Sequence, residues 1–168
     1  PVEIRGALSF ETVADNIVKI GPARLADLFN GAIHCLAKQG MFPKRIDAVL
    51  DATDDEATPT YTMDAAAGPV PRVTRDKRPD VRANRHAKKI KVTVFGWKLW
   101  LVFEPVSKIP LALAIDGINV ADNAHAAAVF EQARRNVAGY AVIRSVALDR
   151  GVLDGDLLAR IGPDAIVY

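Results

Sequence analysis

The stretch Val92–Phe103, VTVFGWKLWLVF, carries apolar side chains at both odd and even positions. A strand with that pattern has no face to give to water, so it belongs at the centre of a sheet covered on both sides. Pro105 ends it. Ile109–Ile115 (IPLALAI) repeats the pattern after the short turn Glu104–Lys108, a separation that lets the two strands pair antiparallel. Two further apolar runs, Ile46–Asp51 (IDAVLD) and Ala141–Leu148 (AVIRSVAL), each deliver an aspartate at their end, Asp51 and Asp149.

Helical periodicity fills the spaces between these runs. Gly21 and Pro22 precede Leu25, Leu28, Phe29, Ala32 and Leu36, one face of a helix that starts at the proline and is stopped by Gly40 and Pro43. A shorter helix is expected over residues 10–19. Asp122 and Asn123 read as caps for a helix whose apolar face is Ala126, Val129, Phe130, Ala133 and Val137. Leu153, Leu157, Leu158 and Ile161 define a short helix ended by Gly162 and Pro163, and Ala165–Tyr168 begins another strand. The order predicts an α/β fold, a mixed sheet flanked by helices with right-handed crossovers. A helical segment over 1–43 precedes a core over 44–168. Residues 57–90, with Pro59, Gly68, Pro69, Pro71 and Pro79, show little periodicity and are expected to lack regular structure.

Composition removes several classes. Half of the 168 residues are hydrophobic and 25% are charged, so disorder and coiled coil are excluded, and a chain this long buries about 70% of its unfolded surface. One cysteine, Cys35, closes no internal disulfide, and with three histidines it makes no CxxC-type zinc set. No apolar run approaches the roughly 18 residues of a membrane span, and the start lacks a signal-peptide pattern, so no membrane contact and a cytoplasmic location are expected. A first residue other than Met reads as a fragment or processed product.

Charge is unevenly placed. Residues 72–91 hold nine Lys and Arg, among them Arg82, Arg85, Lys88, Lys89 and Lys91, against Asp76 and Asp80, a net +7 in a chain of net +2. A basic insertion at about 57–91 suits contact with nucleic-acid phosphates, with a solvated loop as the alternative. Asp51 and Asp149 suit a different task. Carboxylates at the ends of neighbouring strands face one crevice and repel unless a cation lies between them. Oxygen donors without nearby His or Cys favour a hard ion, Mg²⁺ or Mn²⁺. For either aspartate alone, a turn or cap role is the simpler reading.

The segments Leu50-Asp51-Ala52-Thr53, Val94-Phe95-Gly96-Trp97-Lys98-Leu99, Ile109-Pro110-Leu111-Ala112, Asn119-Val120-Ala121-Asp122-Asn123 and Leu148-Asp149-Arg150-Gly151 occur in that order. Together they resemble the catalytic core of bacterial insertion-sequence DDE transposases, over roughly residues 44–168. The resemblance implies an RNase H-like fold and metal-dependent DNA cleavage and strand transfer. It also implies Asp51 and Asp149 as the first two acids and metal ligands, double-stranded DNA as partner, and self-association. Lys98 becomes a candidate phosphate contact beside the basic insertion. The sequence departs from the family in two places. The family's third acid is a Glu on a later helix, whereas the last Glu here is Glu131, and Val152 replaces the usual aromatic after the Asp-Arg-Gly motif. The resemblance thus implies a core truncated before its third acid, with little or no cleavage.

Other residues carry less. His34, His86 and His125 have no partner set for nucleophilic catalysis, Trp97 and Trp100 read as core rather than base-stacking platforms, and no phosphate-binding glycine loop is present. Alternatives of another class are a catalytically inactive DNA-binding or assembly module and, less favoured, a phosphotransferase using Asp51 as nucleophile.

Overall fold

The computed structural model describes residues 10–57, 65–73, 89–149, 151–153, 155–161 and 165–167. In chain order these form α1 (Phe10–Lys38), β1 (Arg45–Glu56), β2 (Ala66–Val73), β3 (Lys89–Glu104), β4 (Ile109–Gly117), α2 (Ala126–Val137), β5 (Val142–Leu148), α3 (Gly155–Ile161) and β6 (Ala165–Val167). This is the expected α/β class. The six strands make one mixed sheet. β3 is its centre, since β1 and β4 both pair antiparallel with residues 97–103 of β3 and therefore occupy its two edges. β5 runs parallel to β1, and β6 parallel to β5, giving the order β4-β3-β1-β5-β6.

Local chemistry sets the helix breaks. α1 is interrupted at Gly21 (φ 76°, ψ 162°), a conformation open to glycine, and Pro22 then begins the second helical stretch. Gly40 (φ 75°) turns the chain just after the last residue of α1, as expected of a glycine past a helix end.

Burial alternates along β3. Gly96, Lys98, Trp100, Val102 and Glu104 are buried, while Trp97, Leu99, Leu101 and Phe103 are half-buried and Phe95 is exposed. The core therefore lies on one face. There Ile46, Ala48, Leu50, Trp100, Val102, Val146 and Leu148 pack against Val129, Phe130 and Val137 of α2 and Leu157 and Ile161 of α3. The expectation that β3 is covered equally on both sides is corrected. All three helices contribute to this one core, and among the described residues the opposite face meets the start of the second stretch of α1. Pro22 and Leu25 line a cleft of about 180 Å³ there with Asp55, Trp97, Leu99 and Ile115.

α1 reaches both faces by passing the outer edge of β4. The Asn30 side chain meets that edge as a strand would, its Nδ2 donating to the Leu113 carbonyl (3.0 Å) and its Oδ1 accepting the Leu113 N–H (3.2 Å). Asn136 of α2, only 4% exposed, donates to the Leu111 carbonyl (2.8 Å) and to Asn30 Oδ1 (3.1 Å). These two amides satisfy and block an edge that would otherwise offer unpaired backbone groups. Ile33, Ala37 and Phe42 of the helical segment join the same core as the strands.

Three expectations need revision. Residues 66–73 form β2, paired antiparallel with residues 89–96 of β3, where irregular structure was expected. Pro69 and Pro71 conceal it from a propensity reading. An outer strand tolerates prolines two apart, because alternate positions turn their ring nitrogens to the same unpaired edge. Secondly, β1 continues to Glu56, so Asp51 lies within a strand instead of at its end. Thirdly, α2 begins at Ala126 with His125 as its cap residue, and Asp122 and Asn123 belong to the preceding turns.

Candidate functional site

Asp51 and Asp149 come together through strand register. Leu50 and Leu148 are partners in the parallel β1–β5 pair and both are buried, anchoring the two strands side by side. Asp51 and Asp149 are the next residue of each chain, on strands about 4.8 Å apart. Both are exposed. β5 ends there and the chain turns, with the Val152 N–H donating to the Asp149 carbonyl (3.1 Å). β1 runs on alone beside β3. Alternation from the buried Leu50 puts Asp51 on the face away from the core, and its Oδ1 accepts the Ala52 N–H (2.8 Å).

Among the described residues no three His, Cys, Asp or Glu side chains are grouped to hold a metal ion. Two neighbouring carboxylates still suit one kind of ion. Mg²⁺ is commonly held by one or two carboxylates, with water and phosphate oxygens completing its octahedron. The donor set is all oxygen, and fits such an ion better than zinc.

Lys98 has a different setting from the exposed phosphate contact considered above. It is 8% exposed, on the core side of β3, and its Nζ donates to Asp122 Oδ1 and lies 3.5 Å from Asp54 Oδ1. Asp54 is its cross-strand partner on β1. A charge this buried is retained only with partners, and both partners here are carboxylates of the same chain. The turns between β4 and α2 are held at several points. Trp100 Nε1 donates to the Asp122 carbonyl (2.6 Å), His125 Nε2 meets Asp116 Oδ2 (2.7 Å), and the His125 ring packs edge-on to Trp100 at 4.6 Å. The hydrogen bond from His125, followed by the Gly117 N–H, holds the Asp116 carboxyl below its usual range.

Of the basic candidates, Lys89 and Lys91 lie in β3, opposite Val73 and Pro71 of β2. Arg82, Arg85 and Lys88 fall outside the described residues. Residues 66–73 and 89–96 pair as a two-stranded ribbon that lengthens the sheet beyond Gly96.

Asp54 and Asn136 belong to no motif in the sequence, and Asp122 has the local pattern of a helix cap. One signal for Asp54 was available in the acidic run after Asp51, Asp54-Asp55-Glu56, once β1 is extended through it. No helix among the described residues is long and apolar enough to cross a membrane. Comparison with protein-family models, curated proteins and solved structures gives no match.

Proposed function

We propose that this chain is a DNA transposase catalytic core of the DDE type, with Asp51 and Asp149 as its first and second acids. The observation that carries the reading is their adjacency, one residue beyond the Leu50–Leu148 pair. The strand order supports it as well, with β4-β3-β1 antiparallel and β1-β5-β6 parallel, the arrangement expected of an RNase H-like fold.

In this reading Asp51 and Asp149 present oxygen donors to a divalent ion, Mg²⁺ or Mn²⁺. When bound, such an ion neutralises phosphodiester charge and lowers the pKa of a coordinated water. The buried leucines set β1 and β5 side by side, so the two acids leave neighbouring strands without a loop having to order first. Arg82, Arg85, Lys88, Lys89 and Lys91, the last two in β3, neutralise DNA phosphates and position the duplex without reading its sequence. The last Glu is Glu131, ahead of Asp149, so this chain supplies two acids of the three. Weak ion binding and little cleavage are expected of it.

The test is Mn²⁺ binding followed by electron paramagnetic resonance, with DNA binding measured by gel shift, for the wild type, Asp51→Asn and Asp149→Asn. Loss of Mn²⁺ binding with DNA binding retained supports the catalytic reading. Mn²⁺ binding unaffected by either substitution removes it and leaves the second reading, a DNA-binding or assembly module without catalysis. That alternative is favoured by the lack of a three-ligand group among the described residues.

A further inference from the structure

The buried cation Lys98 is unused by the function above; one of its carboxylate partners, Asp54, lies on the strand that carries Asp51, and the other, Asp122, lies in the turns between β4 and α2. Asp54 is three residues beyond Asp51 on the same strand. Asp122 turns its other oxygen towards the segment that follows Asp149, where a Cβ at Gly151 would lie 3.5 Å from Asp122 Oδ2. One ammonium therefore ties β1 just past the first acid to a carboxylate seated against the turn just past the second. The Asp122 backbone is held independently by Trp100 Nε1, and Trp100 is completely buried. The anchor of this bridge is thus part of the core, while Asp54 lies near the end of β1 and Asp122 faces the turn that follows β5.

We propose that Lys98 and Asp122 are positioning residues that hold the Asp51 and Asp149 segments at the separation a divalent ion needs. The proposal rests on the metal-binding reading of those two aspartates. Without the ammonium, Asp54 and Asp122 repel each other, and β1 loses its charged tie to the turn that lies against the segment after Asp149. Residues that orient metal ligands from behind change ion affinity by about 10- to 100-fold when removed.

The experiment measures Mn²⁺ affinity by electron paramagnetic resonance, with the urea midpoint recorded in parallel. Asp122→Asn keeps the shape and the turn but loses the charge pairing, and it is expected to weaken Mn²⁺ binding at least about tenfold. Lys98→Met is expected to weaken it further. His125→Gln is the control, since it cuts a different tie of the same turns and touches neither acid segment. It is expected to lower the urea midpoint and to leave Mn²⁺ affinity within about twofold. Asp122→Asn with wild-type affinity overturns the proposal, as does equal weakening by His125→Gln, which would make general stability of the turns responsible. If Lys98→Met does not fold, Asp122→Asn decides alone, because the Asp122 side chain is 47% exposed. Mn²⁺ binding by the wild type that Asp51→Asn leaves intact defeats the metal-binding reading itself, and is distinguishable from failure of the positioning role.

Discussion

Replacing Asn136 by alanine tests how the N-terminal helical segment is joined to the sheet. The wild-type amide donates to Leu111 and to Asn30, and its Oδ1 accepts from Gln132 Nε2 at 2.7 Å. Each such bond contributes about 1 kcal/mol net, and a buried carbonyl left without a donor costs roughly 1–3 kcal/mol. Leu111 is fully buried, so its carbonyl has little access to replacement water. Asn136→Ala should therefore cost about 2–4 kcal/mol. Asn30→Ala removes both bonds to Leu113 and the bond to Asn136. Its half-buried position lets water repair part of the loss, and about 1–3 kcal/mol is expected. Because the two share a hydrogen bond and a strand edge, the double variant should show a coupling energy of about 0.5–1.5 kcal/mol. Urea unfolding followed by tryptophan fluorescence reads these values, with Trp100 reporting from the core. A single transition is expected, since Ile33 and Ala37 share the core with the strands. A loss below about 0.5 kcal/mol for Asn136→Ala, no coupling, or a separate early transition for α1 would refute the reasoning.

Two further outcomes follow from close packing and from charge. Gly96→Ala should destabilise by about 1–3 kcal/mol in the same assay, because its Cβ would lie 2.3 Å from the Asp55 carbonyl oxygen, a backbone atom that moves only with β1. Stability should also fall as the medium is acidified. Asp47, held down chiefly by its hydrogen bond from Arg144, Glu104, held down chiefly by the Ser107 side chain and then by the Ser107 N–H, and Asp116, held down chiefly by His125, all sit below their ordinary values of 3.8, 4.5 and 3.8 when folded. A depressed carboxyl stabilises the fold above its unfolded pKa and loses that contribution as pH falls through the folded value. The urea midpoint should therefore decline below about pH 4.5, and Asp116→Asn should make that decline shallower. A midpoint that rises on acidification would contradict the assignment.

Much of the framework is legible in the chain itself. The break at Gly21-Pro22, the stop at Gly40, the antiparallel pairing of β3 with β4, the amphipathic α2 and the strand leading to Asp149 all follow from local signals. In each, a backbone preference and a hydrophobic period agree. β2 was hidden because its prolines are unfavourable in an average strand and acceptable only on an outer edge, a position that pairing with β3 creates. β1 extends beyond its apolar run for a related reason. Its acidic end, Asp54-Asp55-Glu56, has no apolar alternation and is strand only because β3 supplies the partner.

The residues of the candidate site divide along the same line. Asp51 and Asp149 stood out in the sequence as acids at the ends of apolar runs, but their adjacency depends on a parallel register between segments nearly a hundred residues apart. Lys98 looks in sequence like any lysine in a strand. Its burial between Asp54 and Asp122, and the reach of Asp122 to Gly151, depend on which turn closes over the end of the sheet. Periodicity and turn chemistry act over a few residues, so a chain carries them openly. Register, edge position and the pairing of a buried charge arise only when distant segments meet, and these the tertiary structure decided.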